Sequence, residues 1–172
     1  MSMTTHERPG VYSSYGASSL IRGSGGRKTV GLVAINTKAT AGTVYTITSY
    51  EDAVTTFGSA GGQDMAELIR VLLLNGAAAV AAVPIASSDD YEDGFALLAA
   101  QENISAVVCD STTLTVQQDL RDSVASASAA RRERIAVVAG AASETTTNLI
   151  SQASSLNSER VVLVAPGGIS AE

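Results

Sequence analysis

The chain has 172 residues, 45% hydrophobic and 16% charged, with a net charge of −6 and a mean hydropathy of +0.20. That length suits one domain, or one domain with an appendage, with enough apolar material for a sizeable core. The acidic balance, the absence of Trp and an aromatic content of 4% argue against a nucleic-acid partner. One cysteine, Cys109, allows no intrachain disulfide, and one histidine, His6, leaves no multi-histidine metal site. No apolar run approaches the roughly 20 residues of a transmembrane helix, and the start of the chain has no signal-peptide pattern. These features lead us to expect a soluble, intracellular protein or a part of something assembled there.

Charge divides the chain in two. Residues 1–28 carry Arg8, Arg22, Arg27 and Lys28 against Glu7, whereas the rest is strongly acidic. A basic leader on an acidic body suggests attraction between them, within one chain or between chains. Pro9-Gly10, Gly16 and Gly23-Ser24-Gly25-Gly26 punctuate a Ser-rich leader without helical periodicity. It reads as an extended arm over 1–27 with a glycine hinge at 23–26. Within it, Gly10 to Tyr15 is strand-like but too short to be stable by itself.

The body, 28–172, opens with Thr29 to Ile35, a predicted strand, and then Val44 to Thr48, which alternates as a half-exposed strand does. Ser49 caps a short helix, with Asp52 at capping-box spacing, Phe57 as its anchor and Gly58 as its stop. Met65, Leu68, Ile69, Leu72 and Leu73 mark one face of a helix from Asp64 to Leu74, ended by Asn75-Gly76. Ala77 to Val83 is predicted as a strand ended by Pro84. Ser88-Asp89-Asp90 opens a helix with Tyr91, Phe95, Leu98 and Ala99 on one face. Ile104 to Cys109 is a short buried strand, and Thr113 or Thr115 caps a helix with Val116, Leu120, Val124 and Ala127 inward. Ile135 to Ala139 and Val161 to Val164 are strands flanking a helix that carries Leu149, Ile150 and Ala153. Strand–helix alternation with continuous apolar strands implies an α/β fold, a mainly parallel sheet with helices on both faces. Val33, Leu68, Leu72, Val107, Val137 and Leu163 are the expected core.

Motifs for catalysis or cofactor binding fail on inspection. In Gly23 to Thr29, the two glycine positions that a phosphate loop requires hold Arg22 and Arg27, and the stretch leads into a strand rather than a helix. Asp110 lies at a strand end, the edge where α/β proteins bind ligands, so a small-molecule or anion site there is the alternative reading. A phospho-acceptor site lacks its acidic partners and lysine, and a metal-adhesion motif would want serines where Thr112 and Leu114 stand. Asp110 and Ser111 otherwise shape a turn. Arg131, Arg132 and Arg134 read either as an anion or partner site or as cations at a helix C-terminus. Cys109 reads as a buried thiol, and Asp89-Asp90 and Asp119 with Asp122 as helix-start and surface carboxylates. No catalytic residue, cofactor or metal is expected.

Glu7 to Tyr12, Thr46 to Asp52 with Phe57-Gly58, and Leu68 to Val83 follow one another in an order that resembles the N-terminal part of contractile-tail sheath proteins from phages and phage-like injection systems. Glu7-Arg8-Pro9-Gly10-Val11-Tyr12 is similar to their R-P-G-x-Y opening. Thr46-Ile47-Thr48-Ser49-Tyr50-Glu51-Asp52 with Phe57-Gly58 resembles their "hydrophobic-T-S-F/Y-E-D … F-G" passage. Leu68 to Val83 resembles a helix that stops at glycine before a core strand, although Pro84 stands where a basic residue is common. Arg131 to Val138, and Ser158-Glu159-Arg160 before the last strand, add weaker likeness. The resemblance implies a structural subunit, not an enzyme, that polymerises into a helical sleeve around a tail tube and contracts. It implies as partners other copies of itself, the tube protein and baseplate proteins, without nucleic acid or membrane insertion. It places the protein in a virion tail or tail-like particle assembled in the bacterial host cytoplasm. It implies an inter-subunit arm containing Arg8, Pro9, Gly10, Val11, Tyr12 and Tyr15, and a further C-terminal region beyond the body.

Overall fold

The computed structural model describes residues 28–59, 62 and 64–165. Five of its six strands run parallel: β1 (Thr29–Ile35), β3 (Ala79–Ile85), β4 (Ile104–Cys109), β5 (Ile135–Ala139) and β6 (Val161–Val164). The sixth, β2 (Tyr45–Ile47), pairs antiparallel with β3 at one edge. The sheet order is β2-β3-β1-β4-β5-β6. Five helices connect the strands: α1 (Tyr50–Phe57), α2 (Met65–Leu74), α3 (Tyr91–Ala99), α4 (Leu114–Ala129) and α5 (Thr146–Leu156). The α/β class and the strand limits of β1, β4, β5 and β6 agree with the sequence reading.

The helix starts follow local chemistry. Ser49 Oγ accepts from the Asp52 N–H at 3.2 Å and donates to the Asp52 carboxylate at 2.7 Å, opening α1. Asp64 accepts from the Glu67 N–H at 2.8 Å and opens α2. Gly58 and Gly76, both at positive φ, end these two helices. Before α3 the cap is Ser87 rather than Ser88. Ser87 and Asp90 form a capping box around one 3₁₀ turn, and α3 begins at Tyr91. Thr113 occupies the cap position of α4 without a side-chain cap bond.

Pro84 does not end β3; the strand runs from Ala79 through Pro84 to Ile85. The Pro84 carbonyl accepts from the Gly42 N–H at 2.9 Å on the β2 side, while the Ile85 carbonyl faces the Asn36 N–H after β1 at 3.0 Å. The missing Pro84 N–H therefore also faces the β2 side, beyond Ala82, where β2 pairing stops.

Two cores flank the sheet. One face carries Leu32, Ala34, Val80 and Ala82 against Ala53 and Phe57 of α1 and Met65, Ala66, Ile69 and Leu73 of α2. The other carries Val33, Val83, Val107, Ala136 and Val138 against Phe95 and Leu98 of α3, Leu120 and Val124 of α4, and Leu156 of α5. Of the expected core residues, Val33 and Val107 are buried, whereas Leu68, Leu72, Val137 and Leu163 are half-buried. Leu68 and Leu72 lie at the margin of the α2 face, which turns Met65 and Ala66 inward instead. In α5 the inward residue is Leu156; Leu149 is half-buried, and Ile150 and Ala153 are exposed.

Candidate functional site

Asp110 stands at a position where this fold class binds ligands. The connection leaving β1 runs toward β3 and that leaving β4 runs toward β5, so the crevice between the C-terminal ends of β1 and β4 is a topological switch point. In this chain Asp110 is exposed, but both its oxygens are engaged by the fold itself. One Asp110 oxygen accepts from the Ile35 N–H at 3.0 Å and the other from the Tyr91 hydroxyl at the start of α3. Tyr91 is buried and stacks on Phe95. Desolvation, reinforced by the Asp110 hydrogen bond, pushes its hydroxyl pKa far up, so it stays a protonated donor.

The loop after β1 is equally self-satisfied. Asn36 Oδ1 accepts from the Lys38 and Ala39 N–H groups at 3.0 and 2.9 Å, and Asn36 Nδ2 donates to the Phe57 carbonyl at 3.0 Å. Lys38 Nζ donates to the Thr55 carbonyl at 2.9 Å, capping α1. Both carboxylate oxygens and the nearby cation thus have structural partners, and Asp110 joins β1, β4 and α3.

Cys109, beside it, is partly buried; desolvation pushes its thiol pKa up to about 11, away from the reactive thiolate. Asp89 and Asp90 fall in the 3₁₀ turn, with Asp90 in its capping box. Asp122 pairs with Arg121, whose hydrogen bond lowers its pKa. Thr29, the end of the phosphate-loop-like stretch, begins a strand.

The arginine cluster has a use that its position in the sequence does not suggest. Arg134 is 4% exposed and donates to the Leu98 carbonyl at 2.8 Å and the Gln101 carbonyl at 2.9 Å. Arg132 donates to the Ala99 carbonyl at 3.0 Å. These cations cap the C-terminus of α3, not that of α4, which immediately precedes them. Burial lowers the Arg134 pKa, with the Arg132 charge adding to it. Glu133 pairs with Arg160 and accepts from Ser128, linking the starts of β5 and β6 to the end of α4.

Sequence reasoning missed a second polar link. Gln117, fully buried in α4, donates to the Ala139 carbonyl at 2.9 Å and accepts from Gln152 of α5 at 2.7 Å. Its neighbours Val116 and Leu120 read as core, but a polar residue between them carried no signal of burial. Among the described residues no group of three or more His, Cys, Asp or Glu could hold a metal, and no helix is long and apolar enough to cross a membrane. The expected arm residues Arg8, Pro9, Gly10, Val11, Tyr12 and Tyr15 lie outside the described residues.

An open, mainly parallel α/β sheet wound in both directions from β1, with Asp110 bonded across its switch point, defines the class of the domain. Among solved structures it is similar to a chain of the contracted helical sheath of the anti-feeding prophage, at 18% identity and a TM-score of 0.56. That match covers 92% of this chain and 45% of the other. A chain of the six-fold symmetrised anti-feeding prophage baseplate matches at 17% identity and a TM-score of 0.57, over 92% of this chain and 46% of that one. This chain is sheath-like in fold, and it spans about half the length of the chains it matches. No protein-family pattern and no curated protein sequence matches it.

Proposed function

We propose that this chain is a structural, non-enzymatic subunit of a contractile tail sheath. Many copies form a helical sleeve around a tail tube, and contraction of the sleeve drives the tube through a cell envelope. The observation that carries this reading is the likeness to a contracted sheath chain over 92% of the sequence. The ordered passages from Glu7 to Phe57 support it independently. The engagement of both Asp110 oxygens weighs against a ligand site at the strand ends.

Contraction needs no hydrolytic centre, because rearranging contacts between bistable interfaces supplies the work. The partners are other copies of the chain, the tube protein and baseplate proteins, in a virion tail or tail-like particle assembled in the host cytoplasm. The arm with Arg8, Pro9, Gly10, Val11, Tyr12 and Tyr15 pairs with a sheet edge on a neighbouring subunit. One exchanged strand per subunit multiplies weak contacts along the lattice. Electron microscopy of the full-length protein tests the reading: sleeves or tubes are expected, and discrete particles under all assembly conditions would refute it. In the full-length protein, deleting residues 1–15 should leave the thermal transition of the body nearly unchanged and abolish sleeves; normal sleeves from the deleted protein would show that the arm is not a linker.

A further inference from the structure

Among the described residues, no helix covers one half of one sheet face. Residues in register on parallel strands share a face, so Val108, Val137 and Val162 form a row continuous with Leu32. Ile135 and Val164 lie on the same face of their strands. Beside Leu32 this face is covered by α1 and α2. Over β5 and β6 it is open: Ile135, Val162 and Val164 are 43%, 48% and 46% exposed. Their neighbours Val161 and Leu163 point the other way, into the core beneath α4 and α5.

Topology causes this asymmetry. Parallel crossovers are right-handed in about 98% of cases, so the direction in which the chain advances across the sheet decides the face its helices occupy. The connection from β1 to β3 advances one way and carries α1 and α2. The three connections from β3 to β4, β5 and β6 all advance the other way and place α3, α4 and α5 on the opposite face. No crossover among the described residues covers the first face beyond β4. Parallel strands buried on one side only are rare, and these are valine-rich on both sides.

We propose that leader residues 16–22, with Leu20 and Ile21 as anchors, lie across the open face of β5 and β6 in the same subunit. The leader enters the sheet at Thr29, at the end where β5 and β6 also begin. Three strand spacings separate β1 from β6, about 14 Å. Eight residue steps separate Ile21 from Thr29, with glycine at 23, 25 and 26, and a Gly/Ser-rich stretch of that length spans about 15 Å on average. The leader is also the basic stretch of an acidic chain, which favours its return to the body. Residues 8–15 remain available to a neighbour.

Cysteine cross-linking of the purified full chain tests this, in a Cys109→Ser background under mild oxidation. Leu20→Cys with Val162→Cys should form an intrachain disulfide at least tenfold faster than Leu20→Cys with Ile150→Cys, which sits exposed on α5 at the other face. Equal rates for the two pairs, or only interchain dimers with Val162→Cys, would overturn the proposal; dimers would assign the cover to a second copy. The readout does not depend on sleeve formation, so the sheath reading and this one can fail separately.

Discussion

The two halves of the sheet use similar strands and receive different cover. In β3, every residue from Val80 to Ile85 is buried, because α1 and α2 lie on one face and α3 on the other. In β6, Val161 to Val164, the burial alternates between partial and exposed. Both read as continuous apolar runs. A strand's composition therefore records the cover it is built to receive, and the path of the chain decides how much of that cover its own crossovers supply.

The largest expected effects test whether the halves fold as one unit. Ile69→Ala in α2 and Leu120→Ala in α4 each remove a side chain with no exposure. Each should lower stability by about 2–5 kcal/mol, with a single denaturant transition in both variants. A biphasic curve in either would divide the sheet into separate folding units.

Overpacking should separate the tight half from the looser one. A Cβ on Gly94 would sit 2.7 Å from Val33 Cγ1 and 3.2 Å from Ile85 Cγ2, both buried residues. Gly94→Ala is expected to cost about 1–3 kcal/mol. A Cβ on Gly140 would overlap the end of Leu149, a half-buried side chain of α5 that has room to swing outward. Gly140→Ala should cost less than about 1 kcal/mol. Equal losses in thermal denaturation would remove this distinction.

A pH-dependent effect lies at the seam. Tyr91 joins α3 to Asp110 at the junction of β1 and β4. Its hydroxyl keeps its proton in the folded state to a pH above the ordinary tyrosine value of 10.0. Its contribution is therefore complete below pH 10.0 and is lost progressively as pH rises beyond it, since the unfolded chain ionises first. Tyr91→Phe should cost about 1–2 kcal/mol at neutral pH and flatten the alkaline fall in stability. An unchanged alkaline limb in the variant would mean that Tyr91 does not set it.

Much of the fold was legible because its signals are local. Ser49, Asp64, Gly58 and Gly76 act within a few residues of themselves, and β4, β5 and β6 are short apolar runs between polar turns. Long-range features were not legible. Pro84 reads as a breaker until β2 is seen to stop short of it. Arg134 reads as a cation for the helix beside it, whereas its partners, Leu98 and Gln101, precede β4. At the candidate site, the turn role of Asp110 was readable, but its bond to Tyr91 depends on how α3 crosses the sheet. The open face was hidden because an apolar run carries no mark of which side its helices will take.

The bonds at Asp110 and Arg134 have a joint consequence for motion. Helix α3 is anchored at its first residue through Tyr91, in its last turn through Leu98 and Ala99, and just past its end through Gln101. It has no free end from which to fray. Helix α5 is bonded to Gln117 through Gln152 and to Arg121 through the Ser155 and Leu156 carbonyls, but Leu156 is its one buried residue against four in α3, so less burial opposes its opening. In deuterated solvent, the amides of α3 should exchange only when the whole domain unfolds, while those of α5 exchange through local openings long before.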